Sequence, residues 1–323
     1  MSEAAAPLIT VGLPVFNGEA YLEEAIRSVL AQTFEDWELI VSDNASTDRT
    51  AEIARDLAAS DRRVRYLRNE HNLGAAANYN RTFALARGRY FKWLAHDDRL
   101  LPEYFAKTVR VLDADPEVVL CNGTVAYIDE KGEIIGTYRS VLHLASGERP
   151  SERFAALVLN SHACVDFFGL IRRSALERSL LHAPFHGADR ALLAQLALRG
   201  RMVQIPEPLV QMREHRQRYT RLRKSIRDRR AWHDPNATSL LPPALELYRA
   251  YWRLVREEPL PGRERLRCAA TLLRWWFVNW HAFRVAAETL DLLVPGTVYR
   301  AERLKTRLFG AAPGHLVEEA ERR

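Results

Sequence analysis

The chain has 323 residues, 47% hydrophobic and 27% charged, a globular composition that exceeds one minimal domain and excludes an intrinsically disordered chain. Its three cysteines, Cys121, Cys164 and Cys268, are odd in number and far apart, which excludes a disulfide framework and a cysteine metal site and fits a reducing compartment. A formal charge of +6 suits polyanionic partners, and with no bilayer-length apolar run and no basic-then-apolar leader in Met1 to Pro7, a cytoplasmic location is expected.

The amino-terminal part alternates short apolar runs with helical periodicity, the pattern of βα units that build a parallel sheet. Leu8 to Val15 predicts a first strand, broken by Asn17-Gly18 before Tyr21, Ala25, Ile26, Val29 and Leu30 recur at helical spacing. Leu39-Ile40-Val41 predicts a second strand ending in Ser42-Asp43-Asn44, and Ser46-Thr47-Asp48 supplies caps for a helix through Ile53 and Leu57. Val64 to Leu67 predicts a third. The loop Asn69 to Leu73 then leads to a helix from Gly74 to Ala86, with Arg87-Gly88 as its glycine cap.

The fourth strand, Tyr90 to Leu94, lies in the run Phe91-Lys92-Trp93-Leu94-Ala95-His96-Asp97-Asp98, where an apolar, aromatic segment passes into two adjacent carboxylates. Open α/β sheets bind ligands at the carboxyl ends of their strands, and hard divalent cations prefer carboxylate oxygen. A metal carrying phosphates is therefore the expected cargo. The competing reading makes Asp97 or Asp98 an N-cap for a helix begun by Pro102-Glu103-Tyr104. No Gly-x-Gly-x-x-Gly turn follows the first strand, which weighs against a dinucleotide-binding oxidoreductase.

Beyond Pro102 a more mixed sheet is predicted. Val118 to Asn122, Val125 to Ile128 and Glu133 to Tyr138 read as strands, the last two joined by the turn Asp129-Glu130-Lys131-Gly132. Phe167 to Ile171 reads as a buried strand, Asp189 to Arg199 as a helix ended by Gly200, and Met202 to Ile205 as a strand stopped by Pro206-Glu207-Pro208. The basic run from Arg213 to Arg230 is either a solvated face or a lid over bound phosphates. After about Trp232 only helices are expected. From Arg263 to Glu288 the polar positions Arg267, Arg274, His281 and Glu288 recur every seventh residue, leaving Leu266, Leu273, Trp276, Phe277, Trp280 and Phe283 as an apolar face. That face is to be covered by the rest of the chain, a second subunit or a membrane interface. Three parts follow: 1–100, 101–230 with the basic lid-like segment, and 231–323.

Four features stand in order: Gly12-Leu13-Pro14-Val15-Phe16-Asn17-Gly18, Asp43, His71-Asn72-Leu73-Gly74 with Asn78, and His96-Asp97-Asp98. In this order and spacing they resemble the family 2 glycosyltransferases over roughly residues 7 to 215. The resemblance implies the GT-A fold: α/β, a Rossmann-like, mostly parallel sheet with a mixed acceptor-side sheet, followed here by a helical region. It implies an inverting, metal-dependent transfer of a sugar from a nucleoside-diphosphate donor, UDP-, dTDP- or GDP-linked, to a hydroxyl of a saccharide, lipid-linked or small-molecule acceptor. Nucleic acid is not expected as a partner.

By the same resemblance Pro14, Phe16, Asn17 and Glu19 form the loop beside the nucleotide base, and Asp43 bonds the base or ribose. Asn72, Gly74 and Asn78 complete the donor set, and Asp97 meets the ribose or sugar. Asp98 holds Mn²⁺ or Mg²⁺, His215 completes the metal shell, and Asp189 is the general base. His96 stands where the family's motif opens with an Asp, and Ala188 replaces an acidic residue before Asp189. Two rivals remain at this point. A nucleotidyltransferase on a related sheet usually carries a Gly-rich, basic first loop, which Gly12-Leu13-Pro14-Val15 lacks; a non-catalytic scaffold would use the basic run to bind polyanions.

Overall fold

The computed structural model describes residues 6–216, 218, 225–237, 239, 241–294 and 296–309. The amino-terminal half runs β1 (Ile9–Val15), α1 (Leu22–Leu30), β2 (Trp37–Asp43), α2 (Thr50–Ser60), β3 (Val64–Arg68), α3 (Ala75–Ala84) and β4 (Tyr90–Trp93). There follow β5 (Arg99–Leu100), α4 (Tyr104–Ala114), β6 (Val118–Ile128), β7 (Ile134–Tyr138), α5 (Pro150–Leu159), β8 (Leu170–Arg172), α6 (Arg173–Leu176), α7 (Ala188–Arg199) and β9 (Arg201–Arg213). The chain continues through α8 (Ile226–His233), α9 (Pro243–Glu257), α10 (Gly262–Trp275), α11 (His281–Leu293) and α12 (Thr297–Phe309).

All the strands join one sheet in the order β3-β2-β1-β4-β8-β6-β9-β5, with β7 paired to β6. The block β3-β2-β1-β4 is parallel, as the alternation predicts, and β1 and β2 are buried at every position, which is why they read as nearly continuous apolar runs. Beyond β4 the sheet is mixed. β8 lies antiparallel between β4 and β6, and β9 runs parallel to β6. The carboxyl ends of β1, β2, β4 and β9 therefore emerge on one edge.

Several expectations are corrected. Asp97 and Asp98 do not cap α4, because β5 intervenes and Glu103 stands at the helix start. Gly88 is not a left-handed cap: a Cβ there would lie 2.5 Å from Thr10 N, so glycine is required for the close crossing over β1. The two strands proposed between Val118 and Ile128 are one, and β9 runs through Pro206 and Pro208. It does so because the register passes from Gly123 opposite Ile205 to Thr124 opposite Pro208, so Pro206 and Glu207 bulge out of the ladder. Val165 to Phe168 is a 3₁₀ turn that carries Phe167 onto Trp93, ring planes 6° apart at 4.7 Å, instead of extending β8.

The carboxy-terminal helices pack on α5 and α7. Leu247, Tyr251, Leu254, Cys268, Leu272 and Trp275 form one buried cluster with Phe154, Val158, Ala191 and Leu198. Filling these positions with smaller side chains would cost about 2–5 kcal/mol each, enough to make the packing obligatory. The expected single face from Arg263 to Glu288 is broken, since Asn279 and Trp280 take φ of 51° and 60° and separate α10 from α11. Leu266, Leu273 and Phe277 stay exposed, Phe277 at 90%. Among the described residues no helix is long and apolar enough to cross a membrane.

Candidate active site

The two carboxylates that end β4 have different environments. Asp97 Oδ2 lies 2.9 Å from His215 Nε2 beyond the end of β9. Burial pushes its carboxyl up, but the His215 hydrogen bond and the charges of His96, Arg218 and His215 outweigh it and hold Asp97 at about 2. Asp98 is 3% exposed and accepts one hydrogen bond, from Arg213 N to Oδ1 at 2.9 Å. Burial first, then the Asp97 charge, push its carboxyl up to about 7. The negative charge of the pair therefore rests more firmly on Asp97 than on Asp98.

Arg213 is the clamp of this site, and its place in an arginine-rich run concealed it. Its guanidinium, fully buried, donates to Asp97 O at 3.2 Å and to Asp129 O at 3.0 Å, pairs with Glu24, and lies over the Tyr21 ring at 4.5 Å. Lys92 was also missed. It is fully buried below Asp98, donates to Phe168 O and lies 3.4 Å from the Tyr104 hydroxyl; burial lowers its ammonium to about 7 despite the Asp98 charge. A lysine inside the apolar run Phe91-Lys92-Trp93 was the available signal.

The first two loops are sewn together. Asn17 Oδ1 accepts from Thr47 N at 2.8 Å, Glu19 Oε2 accepts from Arg49 N at 3.1 Å, and Asp48 Oδ2 accepts from Glu19 N at 3.0 Å. Pro14 is buried beside Ser42, whereas Phe16 projects, 45% exposed, at the loop tip. A Cβ on Gly18 would lie 2.8 Å from His96 Cδ2, so this loop rests on the loop that carries the carboxylates. Pro14, Phe16, Asn17, Glu19, Asp97, Asp98 and His215 are brought together.

The remaining residues expected at the donor, Asp43, Asn72, Gly74 and Asn78, are engaged with the protein itself. Asp43 is fully buried and accepts from Ser46 N at 2.8 Å, Tyr66 Oη at 2.7 Å and Arg68 Nη1 at 2.7 Å. Asn78 Oδ1 accepts from Ser42 Oγ at 2.7 Å while its Nδ2 donates to Ser42 O at 2.9 Å, fastening α3 to β2. Asn72 Oδ1 accepts from Asn44 Nδ2 and Gly74 N, and Gly74, at φ +81°, lies under the His233 carbonyl at the end of α8. Of the basic run, residues 217 and 219–224 lie outside the described residues; the rest is no uniformly solvated face, because Arg213 is buried and Ser225 caps α8 through a reciprocal pair with Asp228.

Asp189 opens α7, whose left-handed Gly187 turns the chain into the helix. Burial pushes its carboxyl up, but the Arg190 charge and N–H and the neighbouring His182 and His186 prevail and hold it below the usual carboxylate range. It lines a cavity of about 520 Å³ bounded by the α5–β8 connection, α7 and the carboxy-terminal helices. Tyr79 connects the two centres: its buried phenol is raised by burial and by the charges of Asp97, Asp98 and Asp189 together, and its ring lies 4.9 Å from His182. A second, more open hollow of about 600 Å³ lies by Leu8, Arg87, Gly88 and Arg172, at the opposite ends of β1 and β4, away from Asp97, Asp98 and Asp189.

Among the described residues no group of three or more His, Cys, Asp and Glu is arranged around a common metal position. His215 in particular is committed to Asp97, not to Asp98. The chemistry of Asp98 nonetheless fits a divalent cation: a carboxyl raised first by burial and then by the Asp97 charge, with one hydrogen bond among the described residues, gains from an added positive charge.

The model of the family described as "Glycosyl transferase family 2" matches residues 10–180, over half of the chain. The chain belongs to this family. An uncharacterized glycosyltransferase of Methanocaldococcus jannaschii is 33% identical over 141 residues, 43% of this chain and 49% of the relative. One of Rickettsia typhi is 35% identical over 129 residues, 39% of each. The chain thus spans half or less of the length of these curated relatives.

Among solved structures, S. aureus TarS 1-349 in complex with UDP-GlcNAc superimposes with a TM-score of 0.63 at 15% identity, covering 93% of this chain and 85% of that one. The mannosyltransferase PcManGT from Pyrobaculum calidifontis, in complex with GDP-Man and Mn²⁺, gives 0.56 at 19% identity, covering 94% and 80%. At such identities the likeness speaks for the fold, which is the expected GT-A arrangement with its helical addition. Membership of family 2 weighs against the nucleotidyltransferase.

Proposed function

We propose that the protein transfers a sugar from a nucleoside-diphosphate donor to an acceptor hydroxyl, with inversion and with the help of a divalent cation. The observation that carries this reading is that the Asp97–Asp98 pair at the carboxyl end of β4 and Asp189 at the start of α7 are near enough to one residue, Tyr79, for all three charges to act on its phenol. The complexes of TarS with UDP-GlcNAc and of PcManGT with GDP-Man and Mn²⁺ support it. In this reading residues 1–100 form the donor half, 101–230 the acceptor half and 231–323 a helical wall.

The donor lies over the sewn loops, its base beside Phe16 and its ribose or sugar at Asp97. Asp43, Asn72, Gly74 and Asn78 act by fixing the walls of that cleft. Asp98 would hold Mn²⁺ or Mg²⁺, and the ion would supply positive charge that stabilises the departing diphosphate. His215 orients Asp97 and keeps it ionised.

Asp189, ionised at neutral pH, takes the proton of the acceptor hydroxyl in the cavity. That oxygen forms a bond to the anomeric carbon from the face opposite the diphosphate, and the carbon–oxygen bond to the diphosphate breaks with its electron pair. A single displacement inverts the anomeric configuration. The direct test is release of nucleoside diphosphate and transfer to an added saccharide from UDP-, dTDP- and GDP-sugars with Mn²⁺, comparing wild type with Asp189→Asn.

The exposed Leu266 and Leu273 lie on α10 with Arg263, Arg267 and Arg274, and exposed Phe277 lies in the turn just past its end. Apolar side chains flanked by guanidiniums suit an anionic membrane surface, and this favours peripheral membrane contact over a homodimer.

A further inference from the structure

The cavity that Asp189 lines has a second chemical character, set by the helices that follow the catalytic part. Its wall carries Arg190, Arg229 and Arg284. Arg190 donates to His162 O and faces the Asp189 charge, and Arg284 Nε pairs with Glu288 at 2.9 Å. Arg229, half-buried at the penultimate turn of α8, has no hydrogen bond or ion pair from its guanidinium among the described residues. A half-buried, unanswered guanidinium is the group best suited to recognise a carboxylate or phosphate. His162 and His186, which line the same space, are pushed by burial to about 3 and about 4, so at neutral pH they neither add to nor compete for that charge.

The mouth is aromatic. Asn279 and Trp280 are both left-handed, with φ of 51° and 60°, and Asn279 Nδ2 is pinned to Leu159 O at 2.6 Å. Each such residue costs about 1–3 kcal/mol of backbone strain, which the surrounding packing must outweigh. The strained pair presents Trp280 and Phe283, rings 6.3 Å apart and 48% and 44% exposed, at the cavity wall. Flat aromatic surfaces receive the apolar faces of sugar rings.

We propose that this cavity is the acceptor subsite and that it selects a sugar bearing an anionic group, carboxylate or phosphate, with the ring against Trp280 and Phe283 and the anion on Arg229. Only the term acceptor rests on the transferase reading; the binding of an anionic sugar does not.

The test is a ligand-observed NMR titration of the full chain with glucose, glucuronic acid, glucose 6-phosphate and inorganic phosphate. At least one anionic sugar is expected to bind about tenfold or more tightly than both glucose and inorganic phosphate, as befits one charged hydrogen-bonding contact. Arg229→Gln, checked for folding by circular dichroism, is expected to bring it to the level of glucose, and Trp280→Ala to weaken all three sugars. Equal binding of glucose and both anionic sugars, a preference that survives Arg229→Gln, inorganic phosphate binding as tightly as the sugars, or no sugar binding at all would each overturn it. UDP, dTDP and GDP added to the same wild-type sample report the donor cleft separately, so a failure there removes the transferase reading and leaves the sugar result standing.

Discussion

His215 Nε2 and Asp97 Oδ2, 118 residues apart in the chain, meet at 2.9 Å and so close the carboxyl end of β9 onto that of β4. The contact is what distinguishes Asp97, held at about 2, from its neighbour Asp98, raised to about 7. His215→Asn removes it while leaving Asp98 in place. Mn²⁺-dependent nucleotide binding, measured by calorimetry, is expected to weaken about 10- to 100-fold, the usual effect of losing a residue that orients a metal-site carboxylate.

Asp98 also imposes a pH dependence on stability. Its folded value of about 7 exceeds the ordinary 3.8, so between these two pH values the folded state keeps a proton that the unfolded chain has lost. Stability from this group therefore falls as pH rises through that window and is lowest above about 7. Without metal, Asp98→Asn is expected to raise the melting temperature at pH 8 and to change it little at pH 4. Lys92, lowered to about 7 from 10.5, contributes the opposite slope above neutrality, and Lys92→Met in the same scan separates the two.

Asp189→Asn keeps the shape of the cavity wall and removes the proton acceptor. Transfer is expected to fall about 10²- to 10⁴-fold in kcat with nucleotide affinity unchanged. A parallel loss of nucleotide binding would instead make Asp189 part of the donor site.

Sedimentation with vesicles tests the exposed apolar residues on α10 and in the turn that follows it. Binding to phosphatidylglycerol vesicles, absent with phosphatidylcholine and lost in Phe277→Ser with Leu273→Ser, is the expected result. Dimer formation that these substitutions abolish would assign these residues to a second copy.

The sequence made β1, β2 and β4 legible because each is buried throughout and reads as an apolar run, and it placed Asp97 and Asp98 at the carboxyl edge of the parallel strands. What depended on distant partners was hidden. β9 looked finished at Pro206 because its bulge is possible only against Gly123 and Thr124 of β6. Arg213 resembled its exposed neighbours until the ends of β4, β6 and α1 closed around it. Asp43 and Asn78 stood in the expected order, yet their atoms are taken up by Tyr66, Arg68 and Ser42, which no local spacing reveals. The break at Asn279 and Trp280 has no Pro or Gly to announce it; Leu159, at the end of α5, supplies the anchor.

The measurement that bears most directly on the central claim is calorimetric titration of wild type and Asp98→Ala with UDP, dTDP and GDP, with and without Mn²⁺. One nucleotide is expected to bind wild type in the presence of Mn²⁺, weakly or not at all without it, and to lose the metal dependence in Asp98→Ala. If no nucleotide binds the folded wild type under any of these conditions, the donor site assigned to β1, β2 and β4 is wrong, and a non-catalytic polyanion-binding role takes its place.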